Sequence, residues 1–194
     1  MRLAIPISLL LLAVSTEPHA QSHHIDRVDV TNWGRYDLEI AKTIDAPHLA
    51  GRRQNLVVDR KNLELTATIA ARLCVSFGFE YLLVGTPANV DVPIKMVTRF
   101  PAAGVSNPET GLTTHRHEAI VMRTIGQLHF RSYTLEREWE VVPGTWTFEL
   151  WDNDRKLLER SFMLIRNCDD NCDRIDGDRA VCDRKIALAA GSQQ

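Results

Sequence analysis

Short segments in which apolar and polar residues alternate follow one another along most of the chain. Such a period of two is typical of β-strands that bury one face. We therefore predict seven or eight strands in an all-β, immunoglobulin-like antiparallel β-sandwich over residues 21–166, closed by a hairpin. The segments are Tyr36 to Ile40, Leu63 to Ile69, Phe77 to Leu83, Val90 to Met96, Ala119 to Thr124, His129 to Leu135, Trp146 to Leu150 and Leu158 to Leu164.

Three features depart from this alternation. Residues 21–32 are polar, and we expect a loose lead-in there. The stretch from Phe100 to Glu118 is rich in proline and glycine and is expected to be the longest loop. Pro93 has no N–H to give to a neighbouring strand, which predicts an edge strand or a bulge at that point.

The chain begins with the pattern of a cleavable secretory signal. Met1-Arg2 supplies a positive start, and the apolar run from Leu3 to Val14 follows it. This run is shorter than the roughly 20 apolar residues that cross a membrane, so we do not expect a membrane-spanning protein. Cleavage after Ala20 or after Ser15 fits the small residues there. The prediction is a signal peptide over residues 1–20 and a periplasmic or secreted mature protein.

Composition narrows the class of partner. Of the 194 residues, 44 % are hydrophobic and 25 % are charged, as in ordinary globular domains. The formal net charge is -2, whereas nucleic acids and anionic membranes are bound by basic patches. We therefore expect a protein or another cell-envelope component as the partner, and no nucleic acid.

Four cysteines agree with export, because an even number in an oxidising compartment usually forms disulfides. They are Cys74, Cys168, Cys172 and Cys182, and their three possible pairings stay open at the level of sequence. Asn167 to Lys185 is polar and rich in aspartate, and Ile186 to Gln194 follows as a short end, so we expect a C-terminal tail over residues 167–194 that is tied down by disulfide. A bridge from Cys168 to Cys182 would contribute roughly 3 kcal/mol through loop entropy.

Three motifs occur in order along the chain. They are Val30-Thr31-Asn32-Trp33-Gly34-Arg35-Tyr36, Phe77-Gly78-Phe79-Glu80-Tyr81 and Trp139-Glu140-Val141-Val142-Pro143-Gly144-Thr145-Trp146-Thr147-Phe148. Together they resemble the bacterial exported family known as domain of unknown function 3859, over about residues 26 to 165. The resemblance implies an exported β-sandwich and no particular chemistry.

Histidines offer two candidate sites for copper or zinc. His115 and His117 share a face if they lie on a strand, and His129 is the candidate for a third ligand. Cleavage after Ala20 would leave Gln21-Ser22-His23, whose amine, two amides and imidazole can bind Cu(II) or Ni(II), with His24 assisting. Cyclisation of Gln21 would remove that amine.

Two further candidates involve oxygen ligands and an aromatic side chain. Asp169, Asn171 and Asp173 have the spacing of the first ligands of a calcium loop, but Arg174 and Ala180 replace the required glycine and glutamate. A looser calcium site with Asp176 and Asp178 stays open. Trp151 shares the parity of Glu149, so it is expected on the outer face, where an aromatic side chain can contact carbohydrate or protein.

The catalytic signals are weak. The sequence has no Gly-x-Ser-x-Gly motif, and Cys74 lies in an apolar stretch typical of a structural cysteine. Glu136 and Glu138 alternate beside Arg137, as on a charged solvent face. The leading hypothesis is a non-enzymatic binding module of the cell envelope. A metal-binding protein is the first alternative, and an envelope hydrolase is the second.

Overall fold

The computed structural model describes residues 22–46 and 53–166, over which the chain forms eleven β-strands and one 3-10 turn. They are β1 (His24–Asp45), β2 (Arg53–Glu64), β3 (Thr68–Ala70), β4 (Ser76–Thr86), β5 (Asp91–Arg99), β6 (Val105–Asn107), β7 (Leu112–Thr114), β8 (Arg116–Thr124), β9 (Leu128–Thr134), the 3-10 turn (Glu138–Glu140), β10 (Gly144–Asp152) and β11 (Arg155–Ile165). No helix within the described residues is long and apolar enough to cross a membrane.

The strands form two main sheets that pack face to face. The first sheet has the order β2-β1-β4-β9, and the second has the order β3-β11-β10-β5-β8. The strands β6 and β7 form a separate small hairpin. Neighbours in both main sheets are antiparallel, apart from the short parallel pair of β3 and β11. The predicted all-β, immunoglobulin-like sandwich is thus confirmed, including its final β10–β11 hairpin.

The interior between the sheets is an aromatic cluster. Trp146 is fully buried, as its parity predicts, and its Nε1–H donates to the carbonyl oxygen of Val142 at 3.0 Å. Its ring meets those of Phe77 and Phe100 nearly at right angles, with centroids 5.7 and 4.9 Å apart. Edge-to-face contacts of this kind stabilise a core beyond the area that they bury.

From His24 onward, the lead-in expected over residues 21–32 is instead the first half of β1. This half pairs with β4 from His24 to Tyr36, and the second half pairs with β2. Ile25 is fully buried, and Val28 and Val30 pack against the core. The prediction was wrong because charged residues separate these apolar positions, so the alternation is masked by the high overall polarity.

Two other expectations need correction. The segment Leu63 to Ile69 is not one strand: β2 ends at Glu64, β3 begins at Thr68, and Leu63 and Leu65 are exposed. The expected loop from Phe100 to Glu118 contains the β6–β7 hairpin and the start of β8, and Val105 is buried. In both cases the burial of a few side chains by distant strands decides the outcome.

Pro93 lies in an inner strand, since β5 pairs with both β10 and β8. Its partner on β8 is Met122, whereas the pairing with β10 stops at Lys95. The predicted edge strand or bulge is therefore replaced by an inner strand with one unpaired end. Proline is tolerated there because no strand from the β10 side requires its missing N–H.

Two glycines of the sequence motifs occupy positions that other residues fill poorly. Gly34 has a φ of +124°, and a Cβ placed there would lie 1.9 Å from the carbonyl oxygen of Glu64. Gly144 has a φ of +125°, and its Cβ would lie 2.9 Å from the Cβ of Pro101. Both positions combine a left-handed backbone with close packing, which glycine alone accommodates without strain.

Candidate binding surface on the second sheet

The outer face of the second sheet carries the candidate aromatic residue. Trp151 on β10 lies opposite Lys95 on β5, and Lys95 lies opposite Ile120 on β8. Because directly paired residues of antiparallel strands share a face, the three side chains form one row across the sheet. Trp151 also shares this face with Glu149, as the alternation predicts, although its side chain is half-buried.

Three neighbours hold the indole of Trp151 in place. Its Nε1–H donates to Oε2 of Glu149 at 2.8 Å. The Nζ atoms of Lys95 and Lys156 lie over the ring, 5.1 and 5.3 Å from its centroid. These distances are typical of cation–π contacts. The ring is therefore fixed in orientation, with ammonium groups over it.

Glu149 is the negatively charged residue of this arrangement. It is only 2 % exposed, and it accepts a hydrogen bond from Nε–H of Arg99 at 2.6 Å. The Nζ of Lys156 lies 3.7 Å from its Oε1. Burial opposes ionisation, but the hydrogen bonds from Arg99 and Trp151 outweigh it and lower the pKa of Glu149. The carboxylate is thus charged at neutral pH and anchors the indole.

Exposed apolar side chains lie beside this row. Ile120 is 72 % exposed and Met122 is 55 % exposed, and both point outward from β8, the edge strand of the sheet. A rigid aromatic group on the same face as exposed aliphatic residues, Met122 among them, is typical of protein interfaces. We name the set Trp151, Lys95, Lys156, Ile120 and Met122 the outer patch.

The structure does not bring the candidate histidines into one cluster. His115 is exposed and precedes β8, whereas His117 is half-buried and lies opposite Thr98. His129 belongs to the other sheet, and its Nε2–H donates to the carbonyl oxygen of Thr124 at 2.8 Å. Burial lowers the pKa of His129. Within residues 22–46 and 53–166, no three His, Cys, Asp or Glu side chains are grouped to hold a metal ion.

The histidines at the start of the described chain have local acidic neighbours. Nε2 of His23 lies 3.0 Å from Oδ1 of Asp152, and Nε2 of His24 lies 3.3 Å from Oδ1 of Asp26. The proposed N-terminal copper or nickel site would have to separate His23 from Asp152. That site stays a prediction, and Gln21 lies outside the described residues.

A second buried carboxylate, Glu140, has a structural role. Oε1 of Glu140 accepts the hydroxyl of Tyr133 at 2.8 Å. Its Oε2 accepts the backbone N–H groups of Glu136 and Arg137, each at 2.9 Å. Burial raises the pKa of Glu140, and burial together with this carboxylate raises the pKa of Tyr133 well above its usual value. These contacts fix the corner that leads from β9 into the 3-10 turn.

The remaining candidates lie largely beyond the described part of the chain. Cys74 has a φ of 62° and lies between β3 and β4, where its N–H donates to the carbonyl oxygen of Leu135. Cys168, Cys172 and Cys182 lie outside the described residues, as do the calcium candidates Asp169, Asn171, Asp173, Asp176 and Asp178. The disulfide pairing and the tied-down tail therefore stay predictions.

The sequence pattern does not link Lys95 or Lys156 to Trp151, because each cation–π contact depends on strand register. The alternation did place Lys95 between Ile94 and Met96 on the polar face of a strand. Once the pairing of β5 with β10 is known, this alternation places Lys95 on the same face as Trp151.

Comparison with known proteins supports the fold and gives no family. No protein-family model matches the chain. No curated protein sequence matches it either. The fold is similar to that of an immunoglobulin-like protein from Pseudomonas aeruginosa, PA1606, with a TM-score of 0.52 and 21 % sequence identity. This likeness covers 76 % of the present chain and all of the other, and it shows the fold alone.

Two further solved structures share only weak likeness with the chain. An alkylpurine DNA glycosylase, AlkC, from Pseudomonas fluorescens, bound to DNA, has a TM-score of 0.31 and 16 % identity, covering 52 % of this chain and 28 % of that one. A β-D-glucoside glucohydrolase from Trichoderma reesei has a TM-score of 0.30 and 12 % identity, covering 75 % and 19 %. Scores this low say nothing about activity. The likeness to PA1606 therefore supports an immunoglobulin-like β-sandwich.

Proposed function

We propose that the chain is an exported, non-enzymatic β-sandwich that binds a protein of the cell envelope through the outer patch. The observation that carries this proposal is the fixed indole of Trp151 on the same sheet face as the exposed Ile120 and Met122, with Lys95 between Trp151 and Ile120. A preorganised aromatic group loses little conformational entropy on binding, so it can act as an anchor. Export and the envelope setting come from the N-terminal signal pattern.

The geometry favours a protein over a carbohydrate as the partner. A sugar ring stacks on an open aromatic face, but the ammonium groups of Lys95 and Lys156 lie over the ring of Trp151. Lys95 forms no ion pair within the described residues, whereas Lys156 pairs with Glu159 at 2.5 Å. We therefore infer a partner with an apolar patch for Ile120 and Met122 and an acidic side chain for Lys95.

The outer face of the first sheet is less suited to this role. Arg60 lies across it, paired with Glu80 at 2.5 Å and stacked over Phe130 at 5.0 Å from the ring centroid. The strand β2 does expose Val58, at 61 %, but it has no comparable aromatic anchor within the described residues. A partner that binds at Val58 is therefore the alternative that an experiment has to distinguish from binding at the outer patch.

Site-specific photo-cross-linking in cells that express the full chain tests the proposal. A photoreactive residue replaces Ile120, Val58 or Leu112; Leu112 is 67 % exposed on β7 and serves as the matched control. We expect a cross-linked envelope protein from position 120 alone. Trp151→Ala and Lys95→Glu should each abolish that product, while Leu112→Glu should leave it unchanged.

Two results would contradict the proposed surface. One is an equal product from positions 112 and 120; the other is a product from position 58 alone. Trp151 and Lys95 are half-buried and in contact, so their substitution can lower stability as well as remove the surface. Urea unfolding of Trp151→Ala and Lys95→Glu therefore checks that both variants stay folded when the product is lost. Mass analysis of the mature N-terminus tests export separately, with Gln21 or Thr16 expected as the first residue and Met1 contradicting it.

A further inference from the structure

One edge of the second sheet lies where the described chain leaves the sandwich. The last strand, β11, runs parallel to β3 there, and Ile165 is paired with Ala70. The contact continues beyond β3, because the N–H of Ala71 donates to the carbonyl oxygen of Ile165 at 2.8 Å. Two segments therefore leave the sheet side by side and in the same direction. One continues to Cys74, and the other continues to the tail that begins at residue 167.

Cys74 is held in a fixed position close to this edge. Its N–H donates to the carbonyl oxygen of Leu135 at 2.8 Å, and the N–H of Leu135 donates to the carbonyl oxygen of Val75 at 3.0 Å. The φ of Cys74 is 62°, in the left-handed region that residues with a Cβ seldom adopt. Arg72, two residues earlier, lines one cavity together with Ile165. The hydrogen bonds thus fix Cys74 near the point where the chain leaves β11.

We propose that Cys74 and Cys168 form a disulfide that ties the start of the tail to the sandwich. Cys74 is disulfide-bonded. The other three cysteines of the chain lie outside the described residues and follow Ile165 by three, seven and 17 residues; they are Cys168, Cys172 and Cys182. Sequence alone leaves these three partners open, and the position of Ile165 favours the first of them.

Chain length is the reason for this preference. Cys168 follows Ile165 by three residues, and Cys74 follows the hydrogen-bond partner of Ile165, Ala71, by the same number. A stretch of three residues spans at most about 10 Å, and the Cα atoms of a disulfide lie about 4.4–6.8 Å apart, so the two segments can meet without movement of either strand. A longer loop costs more entropy to close, which makes the two later cysteines less favourable partners. Those two are left to pair with each other around an aspartate-rich loop.

Formation of the bridge needs an oxidant, which an oxidising compartment supplies as glutathione disulfide or a protein disulfide. The thiolate of one cysteine attacks this external disulfide and displaces one of its sulfurs as a thiol. The thiolate of the other cysteine then attacks the mixed disulfide and displaces the second sulfur. The S–S bond between Cys74 and Cys168 is formed, and the external disulfide takes up the two electrons and two protons as two thiols.

A bridge at this position would place negative charge beside two arginines. The cavity next to Ile165 is lined by Arg35 and Arg72, and the first carboxylates of the tail are those of Asp169 and Asp170. The attraction between these charges would add to the covalent tie. The strands β3 and β8 are opposite edges of the second sheet, so the bridge lies apart from the outer patch and neither proposal depends on the other.

Peptide mapping without reduction tests the pairing. The full chain is purified and oxidised with a mixture of reduced and oxidised glutathione, and remaining thiols are alkylated at mildly acidic pH, where thiol exchange is slow. Trypsin and an endoproteinase that cleaves before aspartate separate all four cysteines, because two aspartates lie between Cys168 and Cys172. Mass spectrometry should find peptide 73–90 joined to peptide 167–168. The same peptide joined to Cys172 or Cys182, or alkylated at Cys74, would overturn the proposal.

Matched serine variants give a second readout. In Cys168→Ser the other two tail cysteines keep their bridge, so alkylation in urea should modify Cys74. In Cys172→Ser the same reagent should modify Cys182 and leave Cys74 protected. Protection of Cys74 in Cys168→Ser, or its modification in Cys172→Ser, would contradict the pairing.

Discussion

Replacing Glu140 by alanine removes the acceptor for three donors at once. These are the hydroxyl of Tyr133 and the backbone N–H groups of Glu136 and Arg137, all within 2.9 Å of the carboxylate. The side chain of Glu140 is 4 % exposed, so water replaces few of these bonds. The corner between β9 and β10 should therefore lose its fixed conformation.

The cost can be worked from the contacts. An unpaired buried donor costs about 1–3 kcal/mol, so three partly buried donors at the low end cost about 3 kcal/mol. The buried charge was itself unfavourable, which returns part of this amount. We expect Glu140→Ala to reduce the free energy of unfolding by about 2–3 kcal/mol, and Glu140→Gln by about 1 kcal/mol, because the amide oxygen still accepts both N–H groups.

The raised pKa of Glu140 makes its contribution to the free energy of unfolding depend on pH. Because burial raises the pKa in the folded state, the stabilisation by Glu140 is full below the unfolded-state pKa and declines as pH rises through the folded-state pKa. The difference in unfolding free energy between wild type and Glu140→Ala should therefore be larger at about pH 5 than at neutral pH.

Urea denaturation followed by tryptophan fluorescence measures these differences. The control is Glu138→Ala, which changes an exposed carboxylate in the same turn and should alter stability by no more than about 0.5 kcal/mol. A cost below about 1 kcal/mol for Glu140→Ala, or one equal to that of Glu138→Ala, would refute the role given to these hydrogen bonds.

Two further substitutions probe the frame and the outer patch. Gly34→Ala should lower the free energy of unfolding by about 3 kcal/mol or more in thermal or urea unfolding, because its Cβ would meet the Glu64 carbonyl oxygen. Gly126→Ala, with a φ of +83° and open space around it, should lower it by only about 1 kcal/mol. Equal costs would contradict the steric argument. Glu149→Gln should cost about 1–3 kcal/mol at neutral pH. The pKa of Glu149 is lowered in the folded state, so the stabilisation that Glu149 contributes is present above its unfolded-state pKa and is lost as pH falls through its folded-state pKa. The urea midpoints of Glu149→Gln and wild type should therefore converge in acid. A gap that stays constant with pH would contradict this.

The sequence by itself determined which face of most strands is buried. Alternation with a period of two is a local property, and it correctly placed Trp146 inside the sandwich and Trp151 on the same face as Glu149. The same local signal indicated the all-β class and the closing hairpin. The metal and export predictions rest on sequence alone and were not decided by the fold.

The tertiary structure decided which strands are neighbours and what their side chains meet. The pairing of β1 with β4, the contact of Arg131 with Thr98 and the row from Trp151 to Ile120 all join residues far apart in the chain. Strand register is set by non-local hydrogen bonds and by the packing of the two sheets, so no local pattern specifies it. For this reason alternation assigns Arg131 to a face, while only the folded chain brings its guanidinium into contact with Thr98 of the opposite sheet.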